Sequence, residues 1–118
     1  MQIPLQVTLK DMPASEAVEV RIREKADKLS RFYDKISSCR VVVETPQRHQ
    51  HQGKLYNVRI DLTVPGAELV VNRAENEDVY VAIRDAFVAI TRQLEDFARR
   101  QRGEVKNHSA AAPQEGTD

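Results

Sequence analysis

Two histidines one residue apart, His49 and His51, have the residue type and spacing in this sequence that most directly suggest chemistry. In an extended segment, side chains two positions apart point to the same side, so the pair could supply two ligands to one metal ion. A zinc site needs at least a third ligand, and the remaining histidine, His108, lies in a segment of small and polar residues without periodicity. We therefore expect no metal site. We interpret QRHQHQG as the exposed tip of a hairpin, from which Arg48 could donate to a phosphate.

Motifs for catalysis are missing from the sequence. The four glycines are scattered, so no glycine-rich phosphate loop is possible, and the nucleophile motif G-x-S-x-G does not occur. The single cysteine, Cys39, has no histidine at an interpretable spacing. The acidic residues Glu44, Asp61 and Glu68 fit outward positions on strands. We expect a binding protein rather than an enzyme, with no cofactor and no small-molecule substrate.

Composition limits the class of protein but does not name a partner. The 118 residues include 18 lysines and arginines and 18 aspartates and glutamates, so the formal net charge is zero and only the placement of charges is informative. A chain of this length can bury one core without disulfides. A single cysteine, with no leader-like start and no apolar run long enough to cross a bilayer, indicates a soluble cytoplasmic protein that does not bind membranes.

Hydrophobic periodicity divides the chain into six elements. Alternation of apolar and polar residues predicts strands at about residues 3–9, 36–45, 56–64 and 69–72, and helical spacing predicts helices at about 14–32 and 77–102. Pro65 and Gly66 predict a turn, Asn76 is a candidate N-cap, and Gly103 is expected to end the last helix.

The order β-α-β-β-β-α predicts an α+β fold. Strands with one polar face and two amphipathic helices favour two layers, a mostly antiparallel four-stranded sheet with both helices packed on one face. We expect residues 1–103 to form one domain and residues 104–118 to be a disordered tail.

Basic residues gather on part of each predicted helix. On the first helix they follow one flank of the apolar stripe, and on the second they spread over the outward surface. If the two basic surfaces adjoin, they form a groove that can neutralise several phosphates. The alternative is an ordinary solvated face, with terminal arginines placed by the helix dipole. The residues concerned are Arg21, Lys25, Lys28 and Arg31 on the first helix and Arg84, Arg92 and Arg99 on the second.

Four local runs add information through their order and spacing. They are KxxKLxxFYDKI at residues 25–36, LTVPGAEL at 62–69, EDVYVAIRDA at 77–86 and RQL at 92–94. With the element order, these runs resemble the ribosome hibernation promoting factor family, also called ribosome-associated inhibitor A or sigma-54 modulation proteins. The resemblance extends over about residues 1–102 and is to the short type, which lacks the second domain of the long type.

The resemblance implies a fold similar to a double-stranded RNA binding domain, and binding to ribosomal RNA of the small ribosomal subunit in the channel between head and body. There the protein would occupy the space of messenger RNA and of transfer RNA anticodon ends, which silences idle ribosomes under starvation or stress. Lys25 and Lys28 match basic positions of the family's first helix and Arg92 matches one of its second. Tyr80 matches the start of the second helix. We therefore expect RNA contacts from Tyr80, from Arg48 and from the basic residues of both helices.

Two other functions fit the same sequence. The open face of the sheet, expected to carry Arg40, Val42, Arg59 and Asp61, could bind another protein such as a transcription regulator. A generic binder of double-stranded RNA is the third hypothesis. Such domains usually place lysines at the start of their last helix, where this chain has acidic residues that would repel phosphate.

Overall fold

The computed structural model of the chain describes residues 4–45 and 55–107. These residues form six elements in the predicted order, so the α+β class is confirmed. The segment predicted as a hairpin tip, with Arg48, His49 and His51, lies outside the described residues, and so does His108. The elements are β1 (Leu5–Lys10), α1 (Glu16–Phe32), β2 (Ser38–Glu44), β3 (Tyr56–Val64), β4 (Ala67–Asn76) and α2 (Val79–Asn107).

The four strands form one sheet in the order β1-β2-β3-β4. β1 and β2 are parallel because α1 connects them as a crossover, whereas the pairs β2-β3 and β3-β4 are antiparallel. Val41 in β2 pairs with Val7 on one side and with Ile60 on the other, which fixes the register across three strands. The prediction of a mostly antiparallel four-stranded sheet is thus confirmed.

One continuous core lies between the sheet and the two helices. The inward side chains of β2 and β3, among them Val41, Val43 and Ile60, are fully buried, and so are Ile22 of α1 and Leu94 of α2. The other face of the sheet carries polar and charged residues at alternate positions. Burial of one face only is what the alternating strands predict, and it leaves the helices as the second layer.

A β-bulge in β4 keeps the core continuous at the end of the sheet. Val58 pairs with Ala74 while Ile60 pairs with Val71, so β4 contains one extra residue between these two pairs. The extra residue shifts the inward positions by one and brings Ala74 to the core, where it is buried. The strand is therefore ten residues long, longer than the alternation at residues 69–72 predicts, because the bulge interrupts that alternation.

The ends of α2 differ from the sequence-based expectation. Its N-cap is Asp78, whose carboxylate accepts a hydrogen bond of 2.9 Å from the backbone N–H of Tyr80. Asn76 is the last residue of β4, and its side-chain oxygen instead accepts from the N–H of Asp78. The helix also continues through Gly103 to Asn107. A glycine weakens a helix by about 1 kcal/mol but ends it only where its backbone turns left-handed. The predicted stop at Gly103 was wrong.

A serine caps the start of α1, and the predicted turn at Pro65 and Gly66 is confirmed. Ser15 caps α1 by accepting a hydrogen bond of 3.3 Å from the N–H of Val18. Gly66 has a φ angle of 85° in the turn between β3 and β4, which suits a Pro-Gly turn that needs a left-handed residue. Within the described ranges, neither helix has the length and apolarity that a membrane crossing requires.

Candidate nucleic-acid interface

The helices α1 and α2 lie side by side on the sheet and run in the same direction. Near their N-terminal ends, the guanidinium carbon of Arg21 lies 5.0 Å from the centroid of the Tyr80 ring. Farther along, the rings of Tyr33 and Phe97 meet edge to face, with centroids 6.3 Å apart and planes at 82°. These two contacts hold the helices together at both ends of their shared length, and between them a groove opens to solvent.

Basic side chains of both helices line this groove. Lys25 and Lys28 come from α1, and Arg84 and Arg92 come from α2. The groove has a volume of about 450 Å³, and its remaining lining is mostly apolar, with Glu95 as the single carboxylate. Four cationic side chains around one anionic side chain give a local positive charge in a chain whose net charge is zero. Such a surface attracts a polyanion.

Three of the four cations are available to a ligand. Among the residues that the structure describes, Lys25, Lys28 and Arg92 form no ion pair with a carboxylate. Arg84 contacts Asp85 at 3.2 Å, and both side chains are largely exposed. An exposed pair of neighbouring residues contributes little free energy, so Arg84 can exchange this partner for a phosphate at small cost.

The remaining predicted contacts lie outside the groove. Arg31 pairs with Asp27 at 2.8 Å and Arg99 pairs with Asp96 at 2.7 Å, each within its own helix. Arg21 lies over Tyr80 and also approaches Glu24 at 3.7 Å. The structure thus brings four of the predicted residues together in the groove. Arg21, Arg31 and Arg99 instead lie beside carboxylates or an aromatic ring. Arg48 lies outside the described residues.

The groove also has an apolar part that charge placement did not predict. Phe32, Val88, Leu29 and Phe87 line it, and the first two are exposed. The hydroxyl of Thr91, also in the lining, donates to the backbone carbonyl of Phe87 at 2.6 Å. The helical spacing of these apolar residues from the cations could have predicted this part of the groove. Phe32 follows Lys25 and Lys28 at seven and four residues, and Val88 lies four residues from both Arg84 and Arg92.

On the open face of the sheet, one carboxylate lies between two arginines. The carboxylate of Asp61, with only 12% of its side chain exposed, lies 3.1 Å from Arg59 and 3.9 Å from Arg40. Beneath this cluster, burial raises the pKa of the Cys39 thiol to about 12, with a smaller contribution from the negative charge of Asp61. The thiol is therefore protonated and unreactive at neutral pH. In the part of the chain described by the structure, no group of histidine, cysteine and carboxylate side chains could hold a metal ion.

The sequence from residue 5 to residue 102 matches the family described as Sigma 54 modulation protein / S30EA ribosomal protein. The match covers every element that builds the sheet and the groove. The chain belongs to this family. The resemblance to ribosome hibernation promoting factors, based on four local runs, is therefore confirmed.

Three ribosome hibernation factors are similar to this chain at 29–32% sequence identity. The ribosome hibernation promoting factor of Azotobacter vinelandii is 32% identical over 97 residues, which cover 79% of this chain and 84% of the relative. The factor of Pseudomonas putida is 29% identical over 89 residues, covering 75% and 80%. The ribosome hibernation promotion factor of Deinococcus radiodurans is 31% identical over 120 residues, covering 98% of this chain but only 60% of the relative.

Solved structures confirm the S30EA fold. A ribosomal subunit interface protein from Coxiella burnetii superposes with a TM-score of 0.65 at 18% identity, covering 83% of this chain and 99% of that structure. The N-terminal domain of Thermus thermophilus Protein Y gives a TM-score of 0.66 at 20% identity, covering 80% and 98%. At sequence identities this low, the similarity shows a shared fold and nothing more.

Proposed function

We propose that this protein binds the small ribosomal subunit through the groove between α1 and α2 and thereby silences idle ribosomes in the cytoplasm. Its bound position is the channel that messenger RNA and transfer RNA anticodon ends otherwise occupy. The observation that carries the proposal is the convergence of Lys25, Lys28, Arg84 and Arg92 on one groove in a chain without net charge. The names of the relatives, which describe ribosome hibernation and a subunit interface, point in the same direction.

The physical mechanism is occlusion. A two-layer domain held by one continuous core is a rigid wedge, and basic side chains on its surface hold RNA by phosphate and ribose contacts that read shape rather than sequence. Inhibition then needs no reaction, because the bound protein and the translation ligands exclude each other. This agrees with a chain in which catalytic motifs were not found.

Two structural observations favour this function over the alternatives. A generic binder of double-stranded RNA would present the N-terminus of its last helix to phosphate, but here the carboxylate of Asp78 accepts from that helix end. On the open face of the sheet, the carboxylate of Asp61 offsets part of the positive charge of Arg40 and Arg59, which leaves this trio less cationic than the four basic side chains around Glu95 in the groove. Binding of a protein partner to the sheet remains the second hypothesis. The salt dependence of binding distinguishes it from the first.

Sedimentation of a stationary-phase lysate through a density gradient tests the proposal. At low salt, we expect the protein in the fractions of the small subunit and of the intact ribosome, and we expect it to leave them as the salt concentration rises, because phosphate contacts weaken steeply with ionic strength. Absence from the ribosomal fractions at low salt would contradict the proposal. Association that survives high salt would favour a protein partner on the sheet.

A further inference from the structure

We infer that the groove holds a nucleobase as well as phosphates, with the base stacked on the ring of Phe32. This inference rests on the proposed function and adds the chemistry of the bound group. In this arrangement Lys25, Lys28 and Arg92 contact the phosphates next to that nucleotide, and the RNA bound in the groove is unpaired at this position. Duplex RNA presents no free base face to a protein surface.

The exposure of Phe32 is the first observation behind this inference. The residue is 51% exposed and Val88 is 47% exposed, and they are the two most exposed large apolar residues in the described part of the chain. Both line the same groove as the four cations. Phosphate binding needs only the charges and would not require an aromatic ring in the groove. The groove therefore offers apolar and cationic contacts side by side, as a nucleotide requires.

The second observation is that the ring of Phe32 has no aromatic partner among the residues that the structure describes. The neighbouring residue Tyr33 turns inward and packs against Phe97, whereas Phe32, the last residue of α1, stays in the groove. Every nucleobase has an aromatic face, so stacking combines affinity with tolerance of sequence. Flanking cations then hold the backbone on both sides of the stacked base.

The size and lining of the groove fit a nucleotide. Its volume of about 450 Å³ lies within the range of sites for small ligands, about 300–1,000 Å³. The lining combines cations with an aromatic ring, which matches the phosphate and the base of a nucleotide.

The test is the affinity of the full-length chain for purified small ribosomal subunits at two or more salt concentrations. We expect Phe32→Ala to weaken binding by about five- to 150-fold, because removing one stacking side chain costs about 1–3 kcal/mol. Phe32→Trp should keep or improve the affinity, and Phe32→Leu should stay weakened because it restores apolar contact without an aromatic face. Val20→Ala is the matched control, since Val20 is 44% exposed on the same helix but does not line the groove.

Salt dependence separates stacking from charge. The slope of log affinity against log salt should be the same for Phe32→Ala and the unchanged protein, because no phosphate contact is lost. Chemical probing should further show one base of the ribosomal RNA protected by the unchanged protein and exposed with Phe32→Ala. Because the ring is about half exposed, we expect only a small change in the thermal midpoint of each variant, and a folded Phe32→Ala with weaker binding excludes misfolding as the cause.

Each other outcome overturns the inference in a distinct way. If Phe32→Ala bound small subunits as tightly as the unchanged protein, the inference of a stacked base would be wrong, whereas the proposed function would be unaffected. If Phe32→Leu bound small subunits with full affinity, the side chain would contribute apolar contact only, and no base would stack on it. If Phe32→Ala lost affinity but the protection of the ribosomal RNA bases did not change, the groove would bind an acidic segment of a ribosomal protein instead of a base. If the unchanged protein binds no small subunits, the proposed function fails and the inference fails with it.

Discussion

The guanidinium of Arg21 on α1 lies 5.0 Å from the ring centroid of Tyr80 on α2, at the N-terminal end of the groove. Arginine over an aromatic face gains electrostatic energy from the ring quadrupole. The contact joins the two helices that supply the basic groove, and it orients the first turn of α2, where Asp78 caps the helix. Arg21 was predicted as an RNA contact. Its role in RNA binding stays a prediction, and the structure adds a role between the helices.

We expect a coupling free energy of about 0.5–1 kcal/mol between Arg21 and Tyr80, the value usual for an exposed cation–π pair. Urea unfolding of Arg21→Ala, Tyr80→Ala and the double variant measures this coupling in a double-mutant cycle. Tyr80→Phe is the control, because it keeps the ring and should keep the coupling. If the double-mutant cycle gave a coupling free energy of zero, the two side chains would be neighbours without a net attraction.

Replacing Lys25 and Lys28 together by glutamine should weaken binding to small ribosomal subunits by about a hundredfold or more, since each hydrogen bond to a charged group contributes about 1.5–3 kcal/mol. The slope of log affinity against log salt should fall by about one for each lysine that contacts a phosphate. A fluorescence titration at several salt concentrations measures both quantities. Thermal unfolding should change little, because neither lysine pairs with a carboxylate in the described structure.

Arg23→Gln provides the matched control for the lysine pair. Arg23 lies on the same helix, pairs with Glu19 at 3.9 Å and does not line the groove. Loss of one positive charge there should leave the affinity for small subunits nearly unchanged. If Arg23→Gln weakened binding as much per charge removed as the double lysine substitution, general charge attraction would replace the groove as the explanation.

Gln93 should contribute to the stability of the fold through a link between α2 and β4. Its side-chain amide donates a hydrogen bond of 2.9 Å to the backbone carbonyl of Val70, in the edge strand of the sheet. We expect Gln93→Ala to lower the free energy of unfolding by about 0.5–1.5 kcal/mol. Gln93→Glu has nearly the same shape but places an acceptor against an acceptor, so it should cost at least as much near neutral pH. Urea unfolding of both variants measures the effect, and unchanged midpoints would contradict it.

Cys39 makes stability depend on pH in the alkaline range. Folding raises the pKa of its thiol from 9.0 to about 12. Below pH 9 both states are protonated and the thiol has no effect. Above it the unfolded state loses the proton while the folded state keeps it, so the free energy of unfolding falls by up to about 1.4 kcal/mol per pH unit until the folded pKa is reached.

The difference between the unchanged protein and Cys39→Ala isolates this effect, because all other titrating groups are common to both. Unfolding experiments from about pH 8 to about pH 10.5 should show the advantage of the cysteine decreasing as the pH rises. In the folded protein the thiol should also resist alkylation that proceeds rapidly in denaturant, since the thiolate is the nucleophile. A constant difference across this pH range would mean that the thiol ionises equally in both states.

Most of the fold could be predicted from the sequence because its signals are local. The alternation from Tyr56 to Val64 and the helical stripe through Ile22 and Leu29 belong to single elements, and each stripe points to the one core. The errors occurred where local signals compete. The bulge before Ala74 interrupted the alternation of β4, and Gly103 was read as a helix end although a glycine can also adopt helical backbone angles.

The candidate site was predictable only in part. Periodicity placed Lys25 and Lys28 on one flank of α1, and the spacing of Arg84, Val88 and Arg92 by four residues already put these three on one line of α2. The ion pairs that hold Arg31 and Arg99 follow from spacings of four and three residues within one helix, so they too were within reach of the sequence.

Local patterns in the chain were enough to assign the elements, the apolar faces and the angular position of each charge on its own helix. That α1 and α2 lie side by side in the same direction, so that Lys28, Arg92 and Phe32 line one groove, became known from the three-dimensional packing. The difference arises because a position on one helix fixes a direction about that helix axis alone. Which flanks meet depends on how both helices pack on the shared sheet, and that packing arises from contacts between residues far apart in the chain.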